Sequence, residues 1–312
     1  MNRKMNIFLA TDYSKTVMNA ERYAFEFAKN TNSTLIIVHV YEIPFSFPVE
    51  SSGYIRESDR LRKFELQKLK LHCETLAHSL KIKQSELSWE CLVLEGPVEK
   101  EIRNEANRTH PDLIITGTHH SSSFLKIFEG NHAWELIKKT SIPILSIPED
   151  VLYTDIKKIV FATEYRKGEI TGLKFLIKLA AKFDAELSIL HITDDTISKE
   201  FENDLFHQFK TEVQNNVLNY KLNLKLVSAT DITEGINKYC ISNNTDWLVM
   251  SHSKKFIFEK LFMPTKSITK EMTLNSNVPL LAVPDFYVSK YKEEFESISE
   301  TLIFKHKNYT PG

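Results

Sequence analysis

Glycine is scarce in this chain, with eight in 312 residues, so the main chain has few places to turn at positive φ or to let a ligand approach closely. Cysteine is scarcer still. Cys73, Cys91 and Cys240 are far apart and form no C-x2-C pair, which excludes a disulfide framework or zinc ribbon and fits reduced, buried thiols in a cytoplasmic protein, with Cys73 exposed if its helix face is open. Neither sign of charge dominates. A formal net charge of −1 leaves no global field for nucleic acid or an acidic membrane surface. No window approaches a membrane span, and the opening MNRKMNIFLATDYS has too short an apolar run for a signal segment. The expectation is a soluble, cytoplasmic protein.

Catalytic signatures are equally thin. The sequence has no G-x-x-x-x-G-K-[ST] loop, no G-x-S-x-G elbow and no H-E-x-x-H pair, which removes the usual routes to efficient phosphoryl transfer, acyl transfer and zinc hydrolysis. His110, His119, His120 and His132 cluster in sequence, but adjacent loop histidines seldom converge as three or four ligands must. No metal site is expected.

What is present is alternation. With 42% hydrophobic residues the chain can bury sizeable cores, and its length suits two domains. Strands are expected at Asn6 to Ala10, Leu35 to Val40, Trp89 to Leu94, Leu113 to Ile115 and Ile144 to Ile147, from short apolar, β-branched runs bounded by turn residues. Between them, Val17, Ala20, Ala24, Phe27 and Ala28 form one helical face, a long helix is expected from about Glu57 to Leu80, and Pro97 opens another helix at its first position.

The pattern then repeats. ATDYSKTVMNAERYAFEFAKNTNSTLIIVHVYE from Ala10 lines up without a gap on ATEYRKGEITGLKFLIKLAAKFDAELSILHITD from Ala162. Ala10, Thr11, Tyr13, Leu35 and His39 thus meet Ala162, Thr163, Tyr165, Leu187 and His191. DLIITGTHHSSSFLKIFEGN from Asp112 aligns with DWLVMSHSKKFIFEKLFMPT from Asp246. The residue numbers differ by 152 at the first pair of segments and by 134 at the second, so the first half carries 18 more residues, which Pro44 to Ser58 accommodates as an inserted loop. Further strands are expected at Lys158 to Ala162, Leu187 to Ile192, Leu224 to Ser228, Trp247 to Met250 and Leu280 to Val283. The expected fold is α/β: two tandem copies of an open, doubly wound, parallel five-stranded sheet of Rossmann-like architecture. The copies occupy 1–150 and 151–285, with a C-terminal extension at 286–312. The closing strands Ile144 to Ile147 and Leu280 to Val283 are candidates to pair within the chain as a pseudo-dimer, and a homodimer is the alternative.

In such sheets ligands sit beyond the carboxyl ends of the strands, where strand order reverses. Gly117 stands at the end of one strand and Gly130 just before a helix, thirteen residues apart, a layout for an anion at a helix N-terminus or, more plainly, for an ordinary strand-to-helix connection. The sequences ATDYS, IIVHV, the two glycines and SIPILSIP resemble the universal stress protein family, in its tandem form. The resemblance implies an adenine nucleotide-hydrolase-like fold, and ATP or AMP across the strand ends, with magnesium beside ATP. By the same resemblance Ala10, Thr11, Asp12, Val40, Thr116, Gly117, His120, Gly130 and Asn131 are the nucleotide-binding candidates. His120 stands where the family has its second glycine and Asn131 where it has a hydroxyl residue. The second copy departs further, with Glu164, Ser251, Lys254 and Pro264 at the matching positions; proline has no N–H for a phosphate. The resemblance therefore implies a stress-response protein that binds nucleotide in its first half with weak hydrolysis at most. The alternatives are an interaction scaffold with both sites degenerate, which binds protein partners alone, or a weak ATPase.

Overall fold

The structure is a computed structural model, and it describes residues 4–43, 52–118, 136–137, 140–165, 169–193, 199–216, 223–252 and 268–284. In the first half the described elements are β1 (Asn6–Thr11), α1 (Lys15–Asn30), β2 (Thr34–Tyr41), α2 (Ser52–Ser79), β3 (Ser88–Glu95), α3 (Val98–Thr109), β4 (Leu113–Thr118) and β5 (Ile144–Pro148). The second half contributes β6 (Lys158–Ala162), α4 (Glu169–Phe183), β7 (Glu186–Thr193), α5 (Lys199–Asn216), β8 (Asn223–Ser228), α6 (Ile232–Ser242), β9 (Trp247–His252), α7 (Ile268–Asn275) and β10 (Leu280–Pro284).

All ten described strands join one sheet, in the order β3-β2-β1-β4-β5-β10-β9-β6-β7-β8. Every neighbouring pair is parallel except β5 with β10, which run antiparallel with Leu145 opposite Leu281. The order within β1 to β5 is thus matched by the order within β6 to β10. Both strands at the junction are buried along their whole length, as strands covered on two faces must be.

The helices divide between the two faces. On one face a single apolar core runs across the junction, from Ile7, Leu9, Phe25 and Phe27 in the first half to Phe161, Leu173, Phe209 and Trp247 in the second. On the other face there are two cores. Phe8, Val38, Ile102 and Ala106 belong to one, and Val160, Leu190, Ile236 and Met272 to the other. Parallel strands with helices on both faces are what the alternating pattern of the sequence leads one to expect.

Local chemistry explains most element ends. Ser14 caps α1, its hydroxyl accepting from Val17 N–H, and the stripe Val17, Ala20, Ala24, Phe27 and Ala28 is buried as its spacing requires. Two aspartates just before strands do matching work. Asp112 accepts from the Asn6 N–H at 2.8 Å, and Asp246 accepts from the N–H groups of Lys157 and Lys158, both at 2.8 Å. Each ties the entry of an inner strand to its neighbour. Asp246→Ala removes these two charge-assisted bonds, and a longer one from the Thr154 hydroxyl at 3.3 Å, at a half-buried site, so a loss of about 1–2 kcal/mol is expected in urea unfolding; an unchanged midpoint rejects the assignment.

Three expectations need correction. The long helix begins at Ser52, not near Glu57, because Gly53 falls in the first turn, which has few intrahelical bonds to lose. It therefore starts inside the segment expected to be an inserted loop, of which 44–51 lie outside the described residues. Pro97 caps α3 from just before it, with φ −64° and ψ 125°, and Val98 is the first helical residue. Cys73 faces the core and is 1% exposed, so its helix face is closed. The extension at 286–312 also lies outside the described residues.

Candidate functional site

Strand order places the candidate site. From β1 the chain moves outward through β2 to β3, then crosses back by α3 to β4 on the other side of β1. β1 and β4 pair in parallel through Leu9 and Ile115, so their carboxyl ends open side by side at the reversal point, where doubly wound sheets hold ligands. Ala10, Thr11 and Asp12 leave β1 there, and Thr116 and Gly117 end β4. Val40 follows on β2, one residue beyond the pairing of His39 with Thr11.

Sequence-level candidates divide by exposure. Ala10, Thr11 and Thr116 are buried, whereas Asp12, Val40 and Gly117 are partly open at the strand ends. Asp12 Oδ1 accepts the Ser14 N–H at 2.9 Å, a turn in which a short acidic side chain organises the backbone leading into α1. Val40 packs on the α3 side with Val38 and Ala10. His120, Gly130 and Asn131 lie outside the described residues, as do His119 and His132. His110 has a helix-ending role instead, with φ 48° and its N–H donating to the Ala106 carbonyl.

Behind β1 lies a buried polar cluster that the sequence did not announce. Thr11 Oγ1 donates to Glu21 on α1, and the other oxygen of Glu21 pairs with His72 Nε2 on α2 at 2.9 Å. Glu21 is 1% exposed, so this carboxylate depends on its two partners. His39 Nδ1 contacts the Thr11 carbonyl at 2.9 Å, and its Nε2 lies 3.6 Å from Glu65. Tyr13, at φ 63°, packs its ring against His39 with centroids 4.4 Å apart and against His72 at 5.1 Å, and Lys68 Nζ lies 4.3 Å over the ring.

The titrations follow from this packing. Burial holds His39 below the ordinary histidine value, against the opposing pull of its bond to Thr11 and the charge of Glu65. The bond to Glu21 lifts His72 above that value, against partial burial. Burial also raises Tyr13. One signal was available in the sequence. Glu65, Lys68 and His72 are spaced for one face of α2, and Glu21 follows directly on an apolar stripe residue, Ala20.

The second half repeats the cluster with different parts. His191 Nδ1 meets the Thr163 carbonyl at 2.7 Å, its Nε2 lies 3.5 Å from Glu202, and Tyr165, at φ 59°, stacks on it with centroids 4.0 Å apart. Thr163 Oγ1 donates at 2.6 Å to Glu169, at the start of α4, and Glu169 also accepts the Glu164 N–H at 3.3 Å. Position 173, which aligns with Glu21, is a leucine, so the carboxylate comes from an earlier turn of the helix. The strand-end threonine and the following N–H are thus engaged by the protein itself. Ser251, where the first half has Gly117, is buried on β9.

Residues 5–148 match the model of the universal stress protein family. This segment is a universal stress protein domain. It begins just before β1 and ends at the last residue of β5, so it contains every described strand-end candidate of the first half. Among solved structures, a universal stress protein from Archaeoglobus fulgidus is similar over 89% of this chain and 96% of its own, with 16% identity and a TM-score of 0.61. A candidate universal stress protein from Pseudomonas aeruginosa is similar over 94% and 98%, with 14% identity and a TM-score of 0.57. At such identities the likeness is one of fold, and it extends beyond the universal stress protein domain into the second half. No curated protein matches the sequence. Among the described residues no helix is long and apolar enough to cross a membrane.

Proposed function

We propose that this is a cytoplasmic stress-response protein built of two universal stress protein-like units, 1–150 and 151–285, with an extension at 286–312. Its first unit binds an adenine nucleotide, ATP or AMP, at the β1/β4 reversal point. Magnesium accompanies ATP, and turnover is weak at most. The observation that carries this proposal is the placement of Asp12 and Gly117 together at the open ends of two paired strands, within the segment that matches the family. Asp12 is suited to hydroxyl donors of a ribose, Ala10 and Val40 supply an apolar wall for a base, and Gly117 admits the main chain close to a ligand. His120, Gly130 and Asn131 complete the proposed phosphate loop, in which helix N–H groups bind anions.

Calorimetric titration of the full chain with ATP and AMP, with and without magnesium, tests this. One site per chain is expected. Asp12→Ala should weaken it about tenfold or more, in line with a lost charge-assisted bond of about 1.5–3 kcal/mol. Asp12→Asn, which keeps an acceptor for the Ser14 N–H, separates loss of the carboxylate from loss of the turn. Absence of heat with folded protein at high nucleotide concentration refutes the proposal.

One observation favours a second possibility, a nucleotide-independent scaffold acting through protein partners, as a single chain or a homodimer. Glu169 occupies Thr163 and the Glu164 N–H at the second unit's strand end, as a self-sufficient structure would. If the first unit also binds nothing, the scaffold accounts for both.

A further inference from the structure

α2 and β3 bring together two of the three cysteines. Cys73 lies on the core face of α2, in line with Leu69 and Leu76, and Cys91 is on the same face of edge strand β3 as Trp89 and Val93. Their sulfurs are 3.7 Å apart across 18 residues of chain. A disulfide needs about 2.05 Å, so van der Waals contact is already made and a further approach of less than ~2 Å closes the bond. We propose that Cys73 and Cys91 are a redox modification site, oxidised by a peroxide to an intrachain disulfide that staples α2 to β3.

The two thiols have different parts in the step. Cys91 is partly exposed and Cys73 is buried, so Cys91 is the one a peroxide reaches. Its hydrogen bond with Cys73 holds Cys91 below the ordinary thiol value, with Lys70 and His72 adding to the effect, and the thiolate is the nucleophile. Cys91 sulfur attacks a peroxide oxygen; the S–O bond forms, the O–O bond breaks, and the released hydroxide takes a proton to become water. Cys73 sulfur then attacks Cys91 sulfur, forming S–S as S–O breaks. The departing hydroxide takes the proton that Cys73 gives up. Two thiols lose two electrons in total and one hydrogen peroxide becomes two waters. Cys240 is an internal control, since burial pushes its thiol up to about 12.

The bond matters beyond its own position because α2 also carries Glu65, Lys68 and His72, which hold Tyr13 and His39 against the end of β1. Oxidation therefore restricts the helix that backs the strand-end site. The site stands on its own geometry, whether or not nucleotide binds.

Hydrogen peroxide added to the full reduced chain tests it by intact mass and peptide mapping. The expected result is loss of the mass of two hydrogen atoms, a single linked peptide joining Cys73 to Cys91, reversal by dithiothreitol, and an alkylatable Cys240 once the protein is unfolded. In Cys73→Ser, Cys91 should instead accumulate as a sulfenic acid trapped by dimedone. The proposal is overturned if wild-type protein keeps both thiols alkylatable after peroxide, or if Cys91 goes to sulfinic acid while Cys73 stays reduced.

Discussion

Trp247→Ala is expected to destabilise the whole chain by about 3–5 kcal/mol, as truncation of a large buried aromatic does, and to do so without splitting the unfolding transition. Trp247 begins β9 in the second half and is 1% exposed. Its indole N–H donates to the Tyr23 hydroxyl of α1 at 2.7 Å, and its ring lies 5.5 Å from those of Phe27 on α1 and Phe183 on α4. Tyr153, on the connecting segment, meets Tyr23 at 5.2 Å. The aromatic cluster therefore seals the two halves on the face where the core is continuous, beside the β5/β10 pairing. At about 2–4 °C per kcal/mol for a chain of this size, the melting midpoint should fall by on the order of 10 °C. Tyr23→Phe should cost less, about 1–3 kcal/mol, because it leaves a buried indole N–H without its acceptor. Calorimetry distinguishes the outcomes. One shifted transition supports a common core, whereas a second, unshifted transition from residues 1–150 shows that the halves fold independently.

That seal is also where sequence and structure part company. Strand positions were legible because each is a short apolar run with polar neighbours, and β1, β2, β6 and β9 appear where those runs lie. Tyr23 and Trp247, 224 residues apart, share no local pattern; only the closing of the sheet brings them into contact. The same holds for the site. Asp12 and Gly117 are candidates because a strand-end acid and a rare glycine can be recognised one segment at a time, and their adjacency follows from strand order. Glu21 and His72 carry only a weaker marker, a shared helix face for His72 and an apolar stripe neighbour for Glu21. Their meeting depends on how α2 lies across α1, and α2 begins five residues earlier than its apolar stripe suggested. Cys73 shows the limit of helical periodicity most clearly. Its spacing left the burial of that helix face open, and it is β3 that closes over the face and supplies Cys91 as its neighbour.

Glu21→Ala is expected to cost about 3 kcal/mol near pH 6, because it leaves the imidazolium of His72 and the hydroxyl of Thr11 without their shared partner in a buried place. The more informative variant is Glu21→Gln, which keeps an acceptor for Thr11 and removes only the charge. His72 is raised in the folded protein, chiefly by its bond to Glu21, so the pair's contribution is fully present below the unfolded histidine value of about 6.5 and is lost as pH rises through the higher folded value. His39 acts in the opposite direction. Burial lowers it, so its contribution is present above the unfolded value and is lost as pH falls through the lower folded one. The groups around His39 and His72 include Glu65 and Lys68 from α2 and the Tyr13 ring, and all remain in the variant. Subtracting the variant from wild type therefore largely cancels His39 and exposes His72. Urea unfolding at several values between about pH 5.5 and 8.5 should show a gap that is widest at the acid end and shrinks with rising pH. A gap that is constant, or that widens with pH, would mean that the Glu21 carboxylate is not stabilised by a charged His72, and that the link between α1 and α2 behind β1 is a neutral hydrogen bond.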